Sequence, residues 1–366
     1  MGAHAPRPPR AAPLGGRERR REEPDHALRR PSPALRARGR DPHLGPCGHN
    51  DEPIRYRRRM PFADLDAIIA GFRAMQSGWG KGTTPAKMRA DYQAWCERFS
   101  DDRIASITRV SAGGVPADQI EAAGAATSRV VLYLHGGGYS LGSARAYRGL
   151  GKRIAYAAQA RVVIPDYRLA PEHVFPAAVE DAVASYRWLL ATGVEPGQIA
   201  VAGDSAGGGL ALALLVSLRD ASAPLPACAV LLSPFADLEC RGESYTTLAE
   251  LDPIVSREMG LSMGRAYVGD REPSDPLASP VNAALAGLPP LLIQVGSREV
   301  VLDDARAIAR QAGHSATLDV WPGMVHVWHL FASALAEGQR AIEEIGSFIQ
   351  RWAYSSKPRP GQRRIS

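Results

Sequence analysis

The sequence predicts an α/β fold in which a mostly parallel β-sheet is flanked by helices on both faces. Short runs that are almost continuously apolar are separated by longer segments with the periodicity of amphipathic helices. Such runs are typical of strands buried on both faces, and strand–helix alternation favours parallel pairing. The predicted strands are 130–135, 161–165, 198–203, 227–234, 291–296 and 316–321. The predicted helices between and after them are 144–159, 176–192, 206–219, 302–313 and 333–352.

Two parts of the chain interrupt this alternation. Residues 61–100 read as a pair of amphipathic helices, and 104–110 and 116–122 follow as two further strand-like pieces. The long stretch 237–288 then separates two predicted strands. We expect 61–100 and part of 237–288 to form a cap over one edge of the sheet.

The ends of the chain differ in composition from its centre. Residues 1–59 contain 10 Pro, and their 15 Arg and 7 acidic residues give this segment a net charge of +8. Because the whole chain has a net charge of +6, the remaining residues sum to −2. With almost no apolar periodicity, this segment cannot bury enough surface to fold. We expect a disordered Arg/Pro-rich tail over 1–59, a folded domain over 60–356 and a flexible C-terminal tail over 357–366.

Composition also narrows the setting of the protein. No apolar run reaches the roughly 18 residues that a membrane-spanning helix needs. The four cysteines, Cys47, Cys96, Cys228 and Cys240, are widely spaced and suggest neither a disulfide framework nor a zinc site. We therefore expect a cytoplasmic protein whose folded domain binds no nucleic acid.

The pentapeptide 203-GDSAG-207 lies between a predicted strand and an apolar helix. This is the setting of the G-x-S-x-G turn, which exposes a nucleophilic serine at a strand end. Ser205 is therefore the candidate nucleophile. The second match, 260-GLSMG-264, follows no buried strand and is interpreted as a chance occurrence.

A serine hydroxyl becomes a good nucleophile when a base accepts its proton. In this type of fold the order along the chain is serine, acid, histidine. His326 lies just after the last predicted strand, where a loop can reach over the sheet, whereas His314 precedes that strand and His329 approaches the final helix. His326 is therefore the candidate base.

The acid is expected on the loop after 291–296, which carries Glu299, Asp303 and Asp304. Glu299 is nearest the strand end, where the loop still overhangs the site. Asp303 is the alternative, although it falls where a helix begins and could simply cap it.

The segment 135-HGGG-138 ends another predicted strand. Attack on an acyl carbon leaves a negative oxygen, which aimed backbone N–H groups stabilise. Glycines let the backbone come close to such an oxygen without interfering side chains. We expect the amides of Gly137, Gly138 and Ala206 to form an oxyanion hole, and His135 to hold the glycine loop.

With these motifs in view, residues 61–352 resemble the hormone-sensitive-lipase family of carboxylesterases, in the α/β-hydrolase superfamily. The resemblance rests on five segments: HGGGY at 135–139, DYRLAPEHVFPAAVED at 166–181, GDSAGG at 203–208, DPLASP at 275–280 and PGMVH at 322–326.

The resemblance implies an eight-stranded α/β-hydrolase fold with a helical cap, no metal or organic cofactor, and a possible homodimer. It also implies that Asp166, Arg168 and Glu172 brace loops around the site. At the acid it departs from the D-P-L-x-D pattern of many relatives, since this chain has 299-EVVLD-303; Glu299 matches the first acid and Asp303 the second.

The predicted function is hydrolysis of small or short-chain carboxylic esters through an acyl-enzyme, with Ser205, Glu299 and His326 as the catalytic residues. A lactone hydrolase would use the same residues, and assays on p-nitrophenyl esters and lactones would separate the two. A non-catalytic small-molecule receptor on the same scaffold is a further alternative, which the presence of His326 disfavours.

Overall fold

A largely parallel sheet forms the centre of the protein in the computed structural model, which describes residues 55–56 and 65–353. Its strands are β1 (Arg55–Tyr56), β2 (Ala105–Ala112), β3 (Val115–Ala122), β4 (Ala126–Leu134), β5 (Ala160–Pro165), β6 (Ile199–Asp204), β7 (Cys228–Leu232), β8 (Leu291–Gly296) and β9 (Ala316–Trp321). Their order is β1-β9-β8-β7-β6-β4-β5-β3-β2. Only β2–β3 and β3–β5 pair antiparallel. The eight strands from β2 to β9 confirm the predicted fold class.

Helices cover both faces of this sheet. They are α1 (Leu65–Ser77), α2 (Pro85–Glu97), α3 (Arg148–Ala158), α4 (Ala177–Ala191), α5 (Ala206–Asp220), α6 (Ser244–Thr247), α7 (Arg257–Val268), α8 (Leu302–Ala312) and α9 (Ala336–Ala353). Successive strand residues alternate between faces, so the core divides in two. Leu132 and Leu134 pack on the side that includes α4, α5 and α8, whereas Val131 and Tyr133 pack on the side that includes α1, α2, α3 and α9.

The strand order places the candidate site. From β4 the chain continues to β5 on one side and β6 on the other, so the order reverses between β4 and β6. Ligands of open α/β sheets bind at such a switch point, beyond the carboxyl ends of the strands. Leu134 pairs with Gly203, so the loops that follow β4 and β6 leave the sheet side by side.

Helices α1 and α2 contact the rest of the domain through an aromatic cluster. The Trp95 ring on α2 meets Phe72 on α1 at 5.9 Å between centroids, and it meets Phe331 at 6.4 Å. Arg89 on α2 also reaches the loops beyond β4 and β5, donating to the carbonyl oxygens of Ser140 and Ala170. The assignment of these helices as a cap stays a prediction.

The predicted tails lie almost entirely outside the described residues. Within 1–59, only Arg55–Tyr56 is described; it pairs in parallel with β9, which differs from the disorder expected there. The C-terminal segment 357–366 is not described. Among the helices of 65–353, none combines the length and the apolar character needed to cross a membrane.

Candidate active site

Ser205 occupies the sharp turn between β6 and α5, as the G-x-S-x-G pattern predicts. Its backbone has φ 51° and ψ −121°, an unfavourable conformation for a residue with a side chain. A Cβ atom at Gly203 would collide with the carbonyl of Gly207, and one at Gly207 with the carbonyl of Leu134. The two glycines therefore allow the turn that exposes Ser205. Ser262, in the other match, is an exposed residue inside α7.

His326 reaches Ser205 from the loop after β9. Its Nε2 atom lies 2.9 Å from the Ser205 Oγ atom. The imidazole is almost completely buried, with 7% of its surface exposed. The two residues are 121 positions apart in sequence. They meet because β6 and β9 are parallel strands whose carboxyl ends lie at the same edge of the sheet, and the loop after β9 reaches across β8 and β7.

Glu299 holds the other side of the imidazole. Its Oε2 atom lies 2.9 Å from His326 Nδ1. Because Nδ1 donates to the carboxylate, Nε2 is left to accept the Ser205 hydroxyl proton. Asp303, the alternative acid, instead accepts from the Ser244 N–H and from Arg306 at the start of α8. Of the two candidate acids, Glu299 is therefore the one that contacts His326.

The electrostatics of this pair favour a histidine that holds a proton readily. Burial alone would lower the pKa of His326, but the hydrogen bond to Glu299 and its negative charge outweigh burial and raise it above the ordinary 6.5. Burial raises the pKa of the Glu299 carboxyl, against the hydrogen bond from His326. An imidazolium formed during a reaction would be stabilised by the adjacent carboxylate.

Sequence reasoning missed a buried hydroxyl that bonds to Glu299. The Ser233 hydroxyl, just after β7, donates to Glu299 Oε1 at 2.8 Å and accepts the N–H of Val327 at 3.2 Å. Ser233 is fully buried and has a positive φ of 45°. A polar residue at the end of the apolar run 227–234 was the available signal.

The glycine segment after β4 lies beside Ser205. Gly137 has φ +116° and Gly138 has φ +60°, and both line the same cavity as Ser205 and His326. Among the described residues, no group accepts a hydrogen bond from the N–H of Gly137 or of Gly138. Ala206 is the first residue of α5, where backbone N–H groups have no partner within the helix. Three amides near Ser205 are therefore available to a ligand.

A second carboxylate, Asp204, lies buried beneath this loop and was also missed. Its Oδ1 accepts from the Gly136 N–H at 2.9 Å and the Tyr133 hydroxyl at 2.8 Å, and its Oδ2 accepts from the Tyr147 hydroxyl at 2.8 Å. Burial raises its pKa to about 6, although these hydrogen bonds oppose the shift. The Asp204 carboxylate therefore holds the glycine loop next to Ser205. The position of Asp204 inside GDSAG was the available signal in the sequence.

His135 lies within the supporting structure. It is fully buried, its Nδ1 donates to the Gly136 carbonyl at 2.8 Å, and its ring stacks on Tyr167 with a centroid distance of 4.3 Å. The Tyr167 hydroxyl also donates to the His135 carbonyl at 2.6 Å. Burial lowers the pKa of His135, which favours the neutral ring. These contacts match the holding role expected for it.

The residues expected to brace the loops form ion pairs. Arg168 bonds to Asp181 at 2.8–3.0 Å, and Glu172 pairs with Arg89 of α2 at 2.6 Å. Asp166 accepts the Ala144 N–H at 2.6 Å. Each of these pairs joins two separate segments near the site, which is a structural contribution.

A cavity with an empty volume of about 610 Å³, part of it open to solvent, adjoins Ser205 and His326. Its walls come from both parts of the expected cap and from the sheet loops. They are mostly apolar; the aliphatic and thioether side chains are Leu141, Ile254, Val255, Met259, Met263, Val327 and Leu330. Residues 65–353 contain no cluster of three or more His, Cys, Asp or Glu side chains suited to a metal ion.

Comparisons with known proteins agree with this architecture. Residues 131–330 match a family model described as an alpha/beta hydrolase fold. A protein named acetyl-hydrolase from Streptomyces hygroscopicus is 52% identical over 225 residues, which are 61% of this chain and 75% of that protein. An esterase from Acinetobacter venetianus is 33% identical over 268 residues, 72% of this chain and 88% of the relative.

Solved structures give the same result. The crystal structure of an esterase from the bacterial hormone-sensitive lipase family superposes with a TM-score of 0.77 at 48% identity, covering 81% of this chain and all of the other. The chain therefore belongs to the hormone-sensitive-lipase family of α/β hydrolases. Within that family it is a carboxylesterase-like hydrolase.

Proposed function

We propose that the protein hydrolyses small or short-chain carboxylic esters through an acyl-enzyme formed on Ser205. One observation carries this proposal: a continuous line of 2.9 Å hydrogen bonds runs from Ser205 through His326 to Glu299, beside an apolar cavity. The names of the relatives, acetyl-hydrolase and esterase, support the same chemistry.

The first half of the reaction transfers the acyl group to the enzyme. Ser205 Oγ attacks the ester carbonyl carbon while His326 Nε2 accepts the hydroxyl proton. The tetrahedral intermediate then collapses, and the imidazolium gives that proton to the departing alcohol. Glu299 stabilises the imidazolium and fixes the tautomer that leaves Nε2 free to accept.

The second half returns the enzyme to its starting state. A water molecule loses a proton to His326 Nε2 and attacks the acyl carbon. The Ser205 oxygen leaves, recovers the proton from the imidazolium, and the carboxylic acid is released.

The oxyanion of both intermediates is assigned to the amides of Gly137, Gly138 and Ala206. A preorganised donor of this kind contributes about 2.7–4 kcal/mol to the transition state. Because these donors are backbone amides, a side chain added at Gly137 or Gly138 would occupy the space beside them. At Gly138 that space is already taken by Met263.

The preference for small acyl or alcohol groups is inferred from the walls of the cavity. Phe72, Trp95 and Phe331 are buried, and the Trp95 ring packs edge to face against each of the other two rings. These rigid rings limit the length of chain that fits beside Ser205. A screen of p-nitrophenyl esters of increasing acyl length is expected to show kcat/KM falling once the acyl chain is longer than a short chain.

A fluorophosphonate probe tests the proposed nucleophile, since it phosphonylates activated serines. We expect the purified protein to be labelled on the peptide containing Ser205, and Ser205→Ala to abolish labelling. Ser262→Ala, at the serine of the other G-x-S-x-G match, is the matched control and would retain full labelling. Folded wild-type protein that takes up no probe would contradict the proposal.

A further inference from the structure

Most polar side chains that line the cavity already have a partner. Trp79 Nε1 donates to Asp91 at 3.0 Å. The Tyr92 hydroxyl lies 3.1 Å from that of Tyr147, whose proton goes to Asp204, so Tyr92 is the donor of that pair. Neither group can donate to a substrate without breaking a hydrogen bond.

The remaining polar groups are those of the reaction, the Trp95 indole N–H and one amide. Ser205 and His326 bond to each other, and both oxygens of Asp204 accept hydrogen bonds from the protein. The exception is Gln76 near the end of α1, which also lines the cavity. Among the described lining residues, Gln76 is therefore the only side-chain amide, and apart from the Trp95 indole N–H it is the polar group whose hydrogen-bonding capacity the protein leaves unused.

The one contact of the Gln76 amide is weak. Its Nε2 atom lies 3.8 Å from the Met259 sulfur, and thioether sulfur is a poor hydrogen-bond acceptor. Within residues 65–353, no other side-chain hydrogen bond of Gln76 occurs. The side chain is half-buried, so exchanging this contact for an oxygen acceptor would be favourable.

The Gln76 amide contacts the same helix that covers the oxyanion glycines. Met259 and Met263 are four residues apart on α7, so they share one face and are separated by roughly 6 Å along its axis. Met263 covers Gly138, whereas Met259 contacts Gln76. Gln76 and Gly138 thus contact the same face of α7 at points about one turn apart, and both line the cavity that adjoins Ser205.

The lining also restricts the charge of the substrate. Among the residues that the structure describes, the lining contains no Lys or Arg, and its single carboxylate is the internally bonded Asp204. A charged group placed here would lose its hydration without gaining a counter-charge, which is costly. The cavity accordingly suits an uncharged substrate.

We propose that Gln76 is a specificity-determining residue, whose amide donates a hydrogen bond to a second, neutral oxygen of the substrate. The preferred substrates are then uncharged esters that carry an ether, hydroxyl or carbonyl oxygen several bonds from the scissile carbonyl. This inference rests on the proposed ester hydrolysis and adds to it the class of ester.

Two pairs of esters test it, each pair differing by replacement of one methylene with oxygen. The acyl pair is p-nitrophenyl hexanoate and p-nitrophenyl 4-methoxybutanoate; the alcohol pair is pentyl acetate and 3-methoxypropyl acetate. For each pair the ratio of kcat/KM, ether over alkyl, is measured in wild type and in Gln76→Met, which keeps a chain of similar length without the amide. Dividing the wild-type ratio by the Gln76→Met ratio cancels the difference in intrinsic reactivity between the two esters of a pair.

We expect the ratio to fall about fivefold in Gln76→Met for at least one pair, the effect of losing one neutral hydrogen bond. Ser77→Ala, an exposed neighbour on the same helix, is the control and keeps the wild-type ratio. An active Gln76→Met enzyme with unchanged ratios in both pairs would overturn this inference alone. Wild-type protein that hydrolyses none of the four esters would overturn the proposed function and this inference together.

Discussion

The Ser233 hydroxyl donates a 2.8 Å hydrogen bond to Oε1 of Glu299, while His326 bonds to the opposite oxygen of the same carboxylate. The carboxylate is therefore held from both sides at the base of the site. Ser233 also accepts the Val327 N–H, so one hydroxyl joins the loop after β7 to those after β8 and β9.

Ser233→Ala is predicted to lower kcat/KM by about tenfold and to reduce the free energy of unfolding by about 1–3 kcal/mol. The buried carboxylate loses one donor and the buried Val327 N–H loses its acceptor. Steady-state kinetics and urea denaturation measure the two effects. Unchanged kinetics in a destabilised protein would show that Ser233 supports the fold without orienting Glu299.

Glu299→Gln is predicted to shift the pH dependence of kcat/KM. The neutral His326 is the proposed base, so activity is lost as pH falls through its pKa, which Glu299 raises above the ordinary value. Without the negative charge that pKa drops, and the acidic limb moves to lower pH. The rate itself falls by roughly 10³–10⁴-fold.

A pH series of kcat/KM on p-nitrophenyl acetate measures this shift. Asp303→Asn is the matched control, because Asp303 bonds to Ser244 and Arg306 rather than to His326. An acidic limb in Glu299→Gln at the wild-type pH, or above it, would contradict the assigned role of Glu299.

Asp204 is predicted to make stability depend on pH. Its folded-state pKa of about 6 lies above the ordinary 3.8, so between these values the folded state holds a proton that the unfolded state has lost. The contribution of this group to the free energy of unfolding is present below about pH 4 and declines by about 3 kcal/mol as pH rises to 7. Asp204→Asn lacks this decline.

Urea denaturation of both proteins at several pH values isolates the effect, because every other titrating group is common to the two. The unfolding free energy of Asp204→Asn minus that of wild type should rise between pH 4 and pH 7. A constant difference across this range would mean that Asp204 titrates near its ordinary pKa.

Arg89 is predicted to hold α2 against the site. It donates to the Ser140 and Ala170 carbonyls and pairs with Glu172, so Arg89→Ala removes several charge-assisted hydrogen bonds and should cost about 1–3 kcal/mol. We also expect a higher KM, since α2 contributes walls of the cavity.

Lys87→Ala is the control on the same helix. Lys87 makes an exposed ion pair with Asp91, and such pairs contribute at most about 1 kcal/mol. Thermal unfolding and KM values for a short-chain ester compare the variants. Equal small effects of the two substitutions would remove the special role of Arg89.

Local patterns were sufficient to predict the sheet and much of the site. The buried strands are almost continuously apolar, and each predicted strand from 130–135 onward overlaps an observed one. The position of Ser205 followed from a turn that only the glycines at 203 and 207 allow. His326 and Glu299 followed from the ends of neighbouring strands, although sequence alone left Asp303 open.

Other features depend on contacts between distant parts of the chain. Ser233 is 66 residues from Glu299, and Asp204 is 68 from Gly136, so neither pairing has a local signature. The cavity combines side chains from α1, α2 and α7 with the loops of the sheet. Its shape arises from tertiary packing and could not be derived from periodicity.

The proposed nucleophilic attack by the Ser205 hydroxyl is tested by the kcat/KM of Ser205→Ala for p-nitrophenyl butyrate. An unfolding temperature equal to that of the wild type establishes that the variant is folded. We expect a loss of roughly 10⁴-fold or more, the scale found when a triad serine is removed. Activity within tenfold of wild type in the folded variant would contradict the proposal.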